Sequence, residues 1–435
     1  MAVSGSMRPA GFCSHLHEYG YEAHVISNAI PPAEGGTIPV DPSLMRLVPD
    51  DLRIDRIPHA DWMQSLLDLR ARVRGNTAAP VQATSTGEAG EPDAGAHGGS
   101  IRQLRDRIVN RLLLFPDRQN RWIAAVRRAA RALAPDERPD VVFATGNPWS
   151  SLVAGLDVAK MLGVPFVADF RDPWTQNPKP PLPELVAAAA ACERRILTRA
   201  DRVIANTPAL HDAFAAQYPA SADKIVTITN GYHESLLVPG MNEHAPEVQT
   251  SGIELEYYGS VYELRKPTVL LEAVASLADS GRIQPGEFRI TFTGNWGVSD
   301  PACNALAERL EARDLIRRQA AVSHTAYLER IRSAQHLLVL QQDFPLQIPG
   351  KIYEYVATGR PLFLVGGEGA TASLVREHKL GHVCADNHED LCAAITALVD
   401  GRLSIVPPAT ETIAAFGYAA LTRQLAGVLD EVVNS

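Results

Sequence analysis

The chain has 435 residues, 46% of them hydrophobic and 21% charged, with a formal net charge of −9. That length exceeds what one hydrophobic core organises and implies two domains of ordinary globular composition. The acidic balance argues against a general nucleic-acid binder, and the five cysteines, with no Cys-x-x-Cys pair, suggest neither a disulfide framework nor a zinc site. No apolar run approaches the length of a membrane-spanning helix and no secretory leader is visible, so the expected compartment is the cytoplasm.

In chain order, a helix-like segment at 10–19 precedes Gly20 and a strand at 24–27. A doubly wound α/β domain normally opens with a strand before its first helix. That strand is missing here, and a start assigned too late is the favoured explanation. Cys13, His15 and His17 diverge around a helix and make no metal site. Residues 28–60 are proline-rich and read as an irregular loop, and 76–100, rich in Gly, Ala, Pro and Thr, as a disordered insertion. Between 101 and 133, Ile101, Leu104, Ile108 and Leu112 recur at helical spacing among arginines that include Arg102, Arg105 and Arg111. The basic face is either solvated or a contact for anionic lipid.

A strand at 140–144 is followed by Asn147 as a helix cap, Pro148 as a first helical residue and Gly163 as a stop. The next strand, 165–168, runs into Asp169-Phe170-Arg171-Asp172-Pro173-Trp174. Such strand–helix–strand units predict a parallel sheet with ligand loops at its carboxyl edge, which is where Asp169, Arg171 and Asp172 fall. Arg171 has two readings, a residue that lines a cleft or one locked by Asp169 and Asp172. Strands at 202–205 and 224–229 end in Asn230-Gly231-Tyr232, and 239–252 reads as a linker.

The second half opens with a strand at 253–258, the loop from Gly259 to Lys266 and a helix at 268–277. Later, Val322-Ser323-His324 leads into a helix at 325–333, and a strand at 336–341 precedes the most informative stretch. Pro349 and Gly350 open a short helix, Gly359 and Pro361 close it, and Leu362–Val365 reads as a buried strand. Lys351 and Glu354 are three apart on one face of that helix, a spacing that also fits a plain surface ion pair. Residues 410–433 read as one helix.

The wording Pro-Gly-Lys-x-x-Glu-Tyr-x-x-x-Gly-Arg-Pro at 349–361 closely resembles the nucleotide-sugar-binding helix of family 4 GT-B glycosyltransferases, in a subgroup that makes bacterial surface polysaccharides. Phe115-Pro116-Asp117, the 169–174 segment, Asn230-Gly231-Tyr232 and the 259–266 loop are similar to the same family. The resemblance implies an α/β fold of two facing Rossmann-like domains, the GT-B architecture. Residues 1–240 would form an acceptor domain, 241–408 a nucleotide-sugar domain, and 409–435 a C-terminal helix crossing back onto the first. It also implies a retaining, metal-independent hexosyl transfer from a nucleoside diphosphate sugar to a glycan or polyprenyl-linked acceptor. The expected place stays cytoplasmic, peripheral on the inner face of the membrane if the Arg-rich helix meets anionic lipid, and no cofactor is called for.

Site residues follow position by position. Glu354 would hold the ribose, since a carboxylate accepts two hydrogen bonds from a vicinal diol. Lys266 matches the family's diphosphate-gripping lysine. Arg265 would supply a second positive charge where the family's frequent arginine is Ser260 here. Gly259, Ser260, Gly350 and Lys351 would line the donor, and the His324 loop would face the base. Arg171, with Asp172 beside it, stands where many members carry histidine near the transferred sugar. The family's Glu-x7-Glu pattern is incomplete, with Leu346 in place of its first glutamate, and Lys351 would compensate. Two rivals share the architecture: a nucleotide-sugar epimerase or hydrolase, which needs no acceptor, and a non-catalytic nucleotide-sugar-binding protein.

Overall fold

The computed structural model describes residues 4–29, 42–58, 114–236 and 252–435. The insertion at 76–100, the arginines Arg102, Arg105 and Arg111, and nearly all of the linker at 239–252 lie outside the described residues. The chain divides into two compact units, Met1–Thr229 with Leu421–Ser435, and Asn230–Ala420. The junctions thus fall after Thr229 and Ala420 rather than after 240 and 408.

In the first unit, β1 (His24–Asn28) pairs in parallel with β2 (Arg53–Ile57). A separate parallel sheet runs β3 (Val142–Gly146), β4 (Phe166–Phe170), β5 (Arg202–Ala205) and β6 (Ile225–Thr227), in that order. The strand β2 corrects the expectation of an irregular loop over 28–60. Its polar residues hid it: Asp55 accepts from His24 Nε2 at 2.8 Å and Arg53 donates to Glu137 at 2.9 Å. From this ribbon Ile26 and Ile57 pack against the cluster that contains Trp122, Val126 and Ala130. Those three recur every fourth residue in the helix Asn120–Arg131, whose opposite face exposes Arg121, Arg127, Arg128 and Arg131. The opening helix spans Ser4–His15, earlier than the 10–19 expected, and continues as a 3-10 turn to Tyr19, closed by Gly20 at φ +81°.

The helix after β3 spans Trp149–Leu162, and Pro148 holds its cap position without any side-chain bond. Asn147 is therefore not the cap. Asp117 takes over that task from a distance: its carboxylate accepts from Ser150 N at 2.8 Å, Ser150 Oγ at 2.6 Å and Gln119 N at 2.8 Å. A carboxylate there satisfies otherwise orphaned donors and faces the positive end of the helix dipole, worth about 1 kcal/mol. Phe115 contributes a ring 6.4 Å from Trp174, which stacks on Trp149 at 4.8 Å. Phe115-Pro116-Asp117 is thus a clamp between the start of this helix and the loop that leaves β4.

In the second unit, β7 (Ile253–Tyr258), β8 (Phe288–Thr293), β9 (Ile316–Gln319), β10 (His336–Gln341), β11 (Leu362–Gly366) and β12 (Gly381–Cys384) form one parallel sheet. Their order is β12-β11-β10-β7-β8-β9, the doubly wound arrangement, with the winding reversing between β7 and β10. Every residue of β10 and β11 is buried, the continuous run expected of strands covered on both faces. Loops leaving the carboxyl ends of β7 and β10 therefore occupy the switch point, where such sheets bind ligands.

The helix expected over 410–433 is two, Thr410–Ala414 and Tyr418–Val433. They are interrupted where Tyr232 N donates to Phe416 O at 3.0 Å and Tyr418 N to Tyr232 O at 3.1 Å. Leu421–Ser435 belongs to the first unit. Among the described residues no helix is long and apolar enough to cross a membrane.

Candidate functional site

Both loops at the switch point of the second unit carry expected site residues. The β7 loop turns at Gly259, whose φ of +133° suits a residue without Cβ. Its neighbour after β8, Gly294, has φ +148°, and a Cβ added there would lie 2.2 Å from the Gly259 carbonyl oxygen. Two backbones thus meet without side chains between them. Ser260 is exposed, and its carbonyl accepts from the Tyr257 hydroxyl at 2.9 Å.

The two cations of this loop are held differently. Arg265 donates to Gln341 at 3.0 Å from the end of β10, and its guanidinium lies 5.3 Å from the centre of the Phe344 ring. Among the described residues Lys266 forms an ion pair with Glu263, at 3.7 Å, with both side chains substantially exposed. Glu263 is itself fixed by Ser299, whose N and Oγ donate to it at 3.0 and 2.6 Å.

The loop after β10 leads through Gly350 into the helix Lys351–Ala357. A Cβ at Gly350 would meet open space, so nothing crowds the helix entrance. Lys351 and Glu354 do not pair with each other, which removes the plain surface-pair reading. Lys351 Nζ donates to the Tyr258 carbonyl at 2.8 Å and lies 3.8 Å above the Tyr257 ring centre. A hypothetical Cβ on Gly259 would sit 3.5 Å from the same Nζ, so the ammonium lies directly beneath the glycine turn. Burial pushes its pKa well below that of an ordinary lysine, with the positive charge of Arg265 acting in the same direction and Glu354 opposing.

Glu354 turns to another element. Tyr327, on the helix His324–Ser333 that follows β9, donates its hydroxyl to Glu354 Oε2 at 2.6 Å. The second oxygen, Oε1, is 3.8 Å from His324 Nε2. The cap of that helix is Ser323, which accepts from Ala326 N. Tyr327 was missed from the sequence because nothing in its local pattern signals a partner on the helix 27 positions later.

The first unit gathers Arg171 and Asp172 at the carboxyl end of β4. Asp169 does not lock Arg171. It is engaged by Arg8, whose Nε and Nη2 reach Oδ2 and Oδ1 at 2.9 and 2.8 Å, and by Thr145 Oγ1 at 2.6 Å. Arg171 instead donates to the carbonyls of Gly5 and Asn147. Its own carbonyl accepts from the Asn206 side chain. Asp172 follows, half-buried, in the same loop. Nothing in the local pattern signals Arg8, which lies 161 positions from its partner. Only the cost of an uncompensated buried aspartate could have pointed to a hidden cation.

Known proteins resemble this chain in sequence and in fold. Residues 81–231 match the Glycosyl transferase 4-like domain. A D-inositol 3-phosphate glycosyltransferase of an Arthrobacter species is 26% identical over 283 residues, covering 61% of this chain and 65% of the relative. A counterpart from Catenulispora acidiphila is 26% identical over 316 residues, covering 68% and 73%. The chain spans just under two thirds of the first relative's length. Among solved structures, Anabaena HepE in complex with UDP superposes with a TM-score of 0.58 at 13% identity, covering 99% of this chain and 98% of that one. Sucrose-phosphate synthase from Thermosynechococcus elongatus gives 0.57 at 14% identity, covering 99% and 93%.

Two Rossmann-like domains with these neighbours define the GT-B fold. The match over 81–231 and the named relatives support a glycosyltransferase similar to family 4 on that fold.

Proposed function

We propose that the protein transfers a sugar from a nucleoside diphosphate sugar to a glycan or polyprenyl-linked acceptor, with retention of configuration, in the assembly of a surface polysaccharide. One observation carries this reading: the switch point of the second unit sets a glycine turn, two cations and a presented carboxylate around a single pair of loops. Glu354 suits the ribose diol. Lys266 and Arg265 suit the diphosphate, where negative charge builds as the glycosidic bond breaks. Their charge takes the place of a divalent metal in this proposal. Lys351, bound beneath the glycine turn, shapes the loop from below. UDP bound to HepE and the nucleotide-sugar chemistry of its fold relatives favour a donor of this class.

Thermal-shift screening with UDP, GDP, ADP and their sugar derivatives should raise the melting temperature for one base series. Turnover with polyprenyl-linked acceptors should then release the diphosphate, and EDTA should leave the rate largely intact. Loss of turnover in EDTA with recovery in magnesium would contradict the metal-independent reading. Release of sugar at the same rate without any acceptor would replace transfer by hydrolysis.

The exposed arginines of Asn120–Arg131 support a peripheral seat on an anionic membrane at its cytoplasmic face. Sedimentation should retain the protein on vesicles with anionic phosphatidylglycerol, and added salt should release it. Changing Arg121, Arg128 and Arg131 to Ser should lower retention. Equal retention by neutral phosphatidylcholine vesicles would count against the seat.

A further inference from the structure

We propose that Tyr327 is a positioning residue that makes the site read the 2′,3′-diol of the donor, by fixing the Glu354 carboxylate in one orientation. This rests on the assignment of Glu354 to the ribose.

The geometry argues for it in three ways. A glutamate has three side-chain torsions, and a free one on a short helix would spend much of its time elsewhere. The Tyr327 hydroxyl ties one oxygen, Oε2, at 2.6 Å, a short charge-assisted bond. The other oxygen is not tied at hydrogen-bonding distance to His324, which stands 3.8 Å away, so it remains the oxygen available to a diol. Tyr327 is itself fixed from behind, edge-on to Tyr258 at 5.6 Å between ring centres. Tyr258 in turn donates to Glu256 at 2.5 Å, and its carbonyl holds Lys351. One tyrosine pair therefore links the residue that orients the carboxylate to the residue beneath the glycine turn. Burial and the Glu354 charge push the Tyr327 hydroxyl well above its ordinary pKa, so it stays a proton donor across the working range.

A merely structural tyrosine would weaken every ligand alike, whereas a positioning one should matter only when the diol is present. The test measures dissociation constants by calorimetry for UDP, GDP and ADP, each beside its 2′-deoxy and 3′-deoxy counterpart. It uses the full chain as wild type, Tyr327→Phe and Glu354→Gln. The phenylalanine keeps the ring and its edge contact, so the fold is retained. The ratio of ribo to deoxy affinity is also internal to each variant and does not depend on stability. For whichever base binds, Tyr327→Phe is expected to weaken the ribonucleotide roughly threefold to tenfold, the range of one net hydrogen bond. The deoxy forms should change by less than about twofold. If Glu354→Gln discriminates ribo from deoxy but Tyr327→Phe lowers both equally, the positioning role is overturned and the ribose reading stands. If Glu354→Gln fails to discriminate, the ribose reading falls and the proposal falls with it.

Discussion

Arg8→Met is expected to destabilise the first unit by roughly 3–5 kcal/mol, the loss typical of a buried charge stripped of its partner. Arg8 is 2% exposed and Asp169 0%. Beyond the two bonds to Asp169, the guanidinium donates to the carbonyls of Ile228 and Thr229, just past the end of β6. It therefore ties the carboxyl ends of β4 and β6 to the first helix, with Thr145 at the end of β3 closing the same carboxylate. Without it, Asp169 keeps, among the described residues, the Thr145 hydroxyl, and two backbone carbonyls lose a donor. Replacing both partners, Arg8→Met with Asp169→Leu, should recover much of the loss, because no buried charge is then left alone. Four of the five tryptophans lie in the first unit, so tryptophan fluorescence in urea follows it selectively. A single variant within about 1 kcal/mol of wild type would mean that the pair is replaceable by water. A double variant no better than the single would mean that packing, not charge, is what was lost.

What the sequence disclosed, and what it hid, follows from the range of the interactions concerned. The helix Lys351–Ala357 was legible because everything that makes it is local: a glycine entrance, a Gly-Pro exit and a buried strand behind it. The glycine loop after β7 was legible for the same reason. The alternation of apolar strands with helices fixed the doubly wound class, since parallel strands covered on both faces read as continuous apolar runs. The contacts that set up the site are of another kind. Arg8 with Asp169, Asp117 with Ser150 and Tyr327 with Glu354 join residues far apart in the chain, and each half alone looks like an ordinary polar residue. Asp117 is instructive: its motif resembles the family's, yet its reason is a cap that Pro148 could not provide. Strand β2 escaped for the opposite reason, because its polar side chains suit a short two-stranded ribbon and do not alternate as a half-buried strand would.

Lys266→Ala should depress turnover by roughly 10²–10³ while weakening donor binding far less, because its charge is needed most when the diphosphate departs. The structure makes Lys266, rather than Arg265, the residue for this test. Arg265 is committed to Gln341 and packed against Phe344, so its removal would disturb the ends of two loops as well as the charge. Among the described residues the Lys266 ion pair is with Glu263, a loose contact 3.7 Å long and open to water, which contributes little to stability. An arriving diphosphate can outbid that single carboxylate, and the ammonium then moves without breaking any packing. Glu263, tied to Ser299, stays where it is and keeps the lysine near the loop until then. Three results follow together. Lys266→Ala leaves the melting temperature nearly unchanged, Lys266→Arg keeps part of the turnover, and Glu263→Gln alters donor affinity only modestly. Single-turnover kinetics with saturating donor separates the chemical step from binding. Turnover within threefold of wild type for Lys266→Ala, or a loss explained wholly by weaker donor binding, would move the diphosphate-stabilising charge to Arg265 and Lys351.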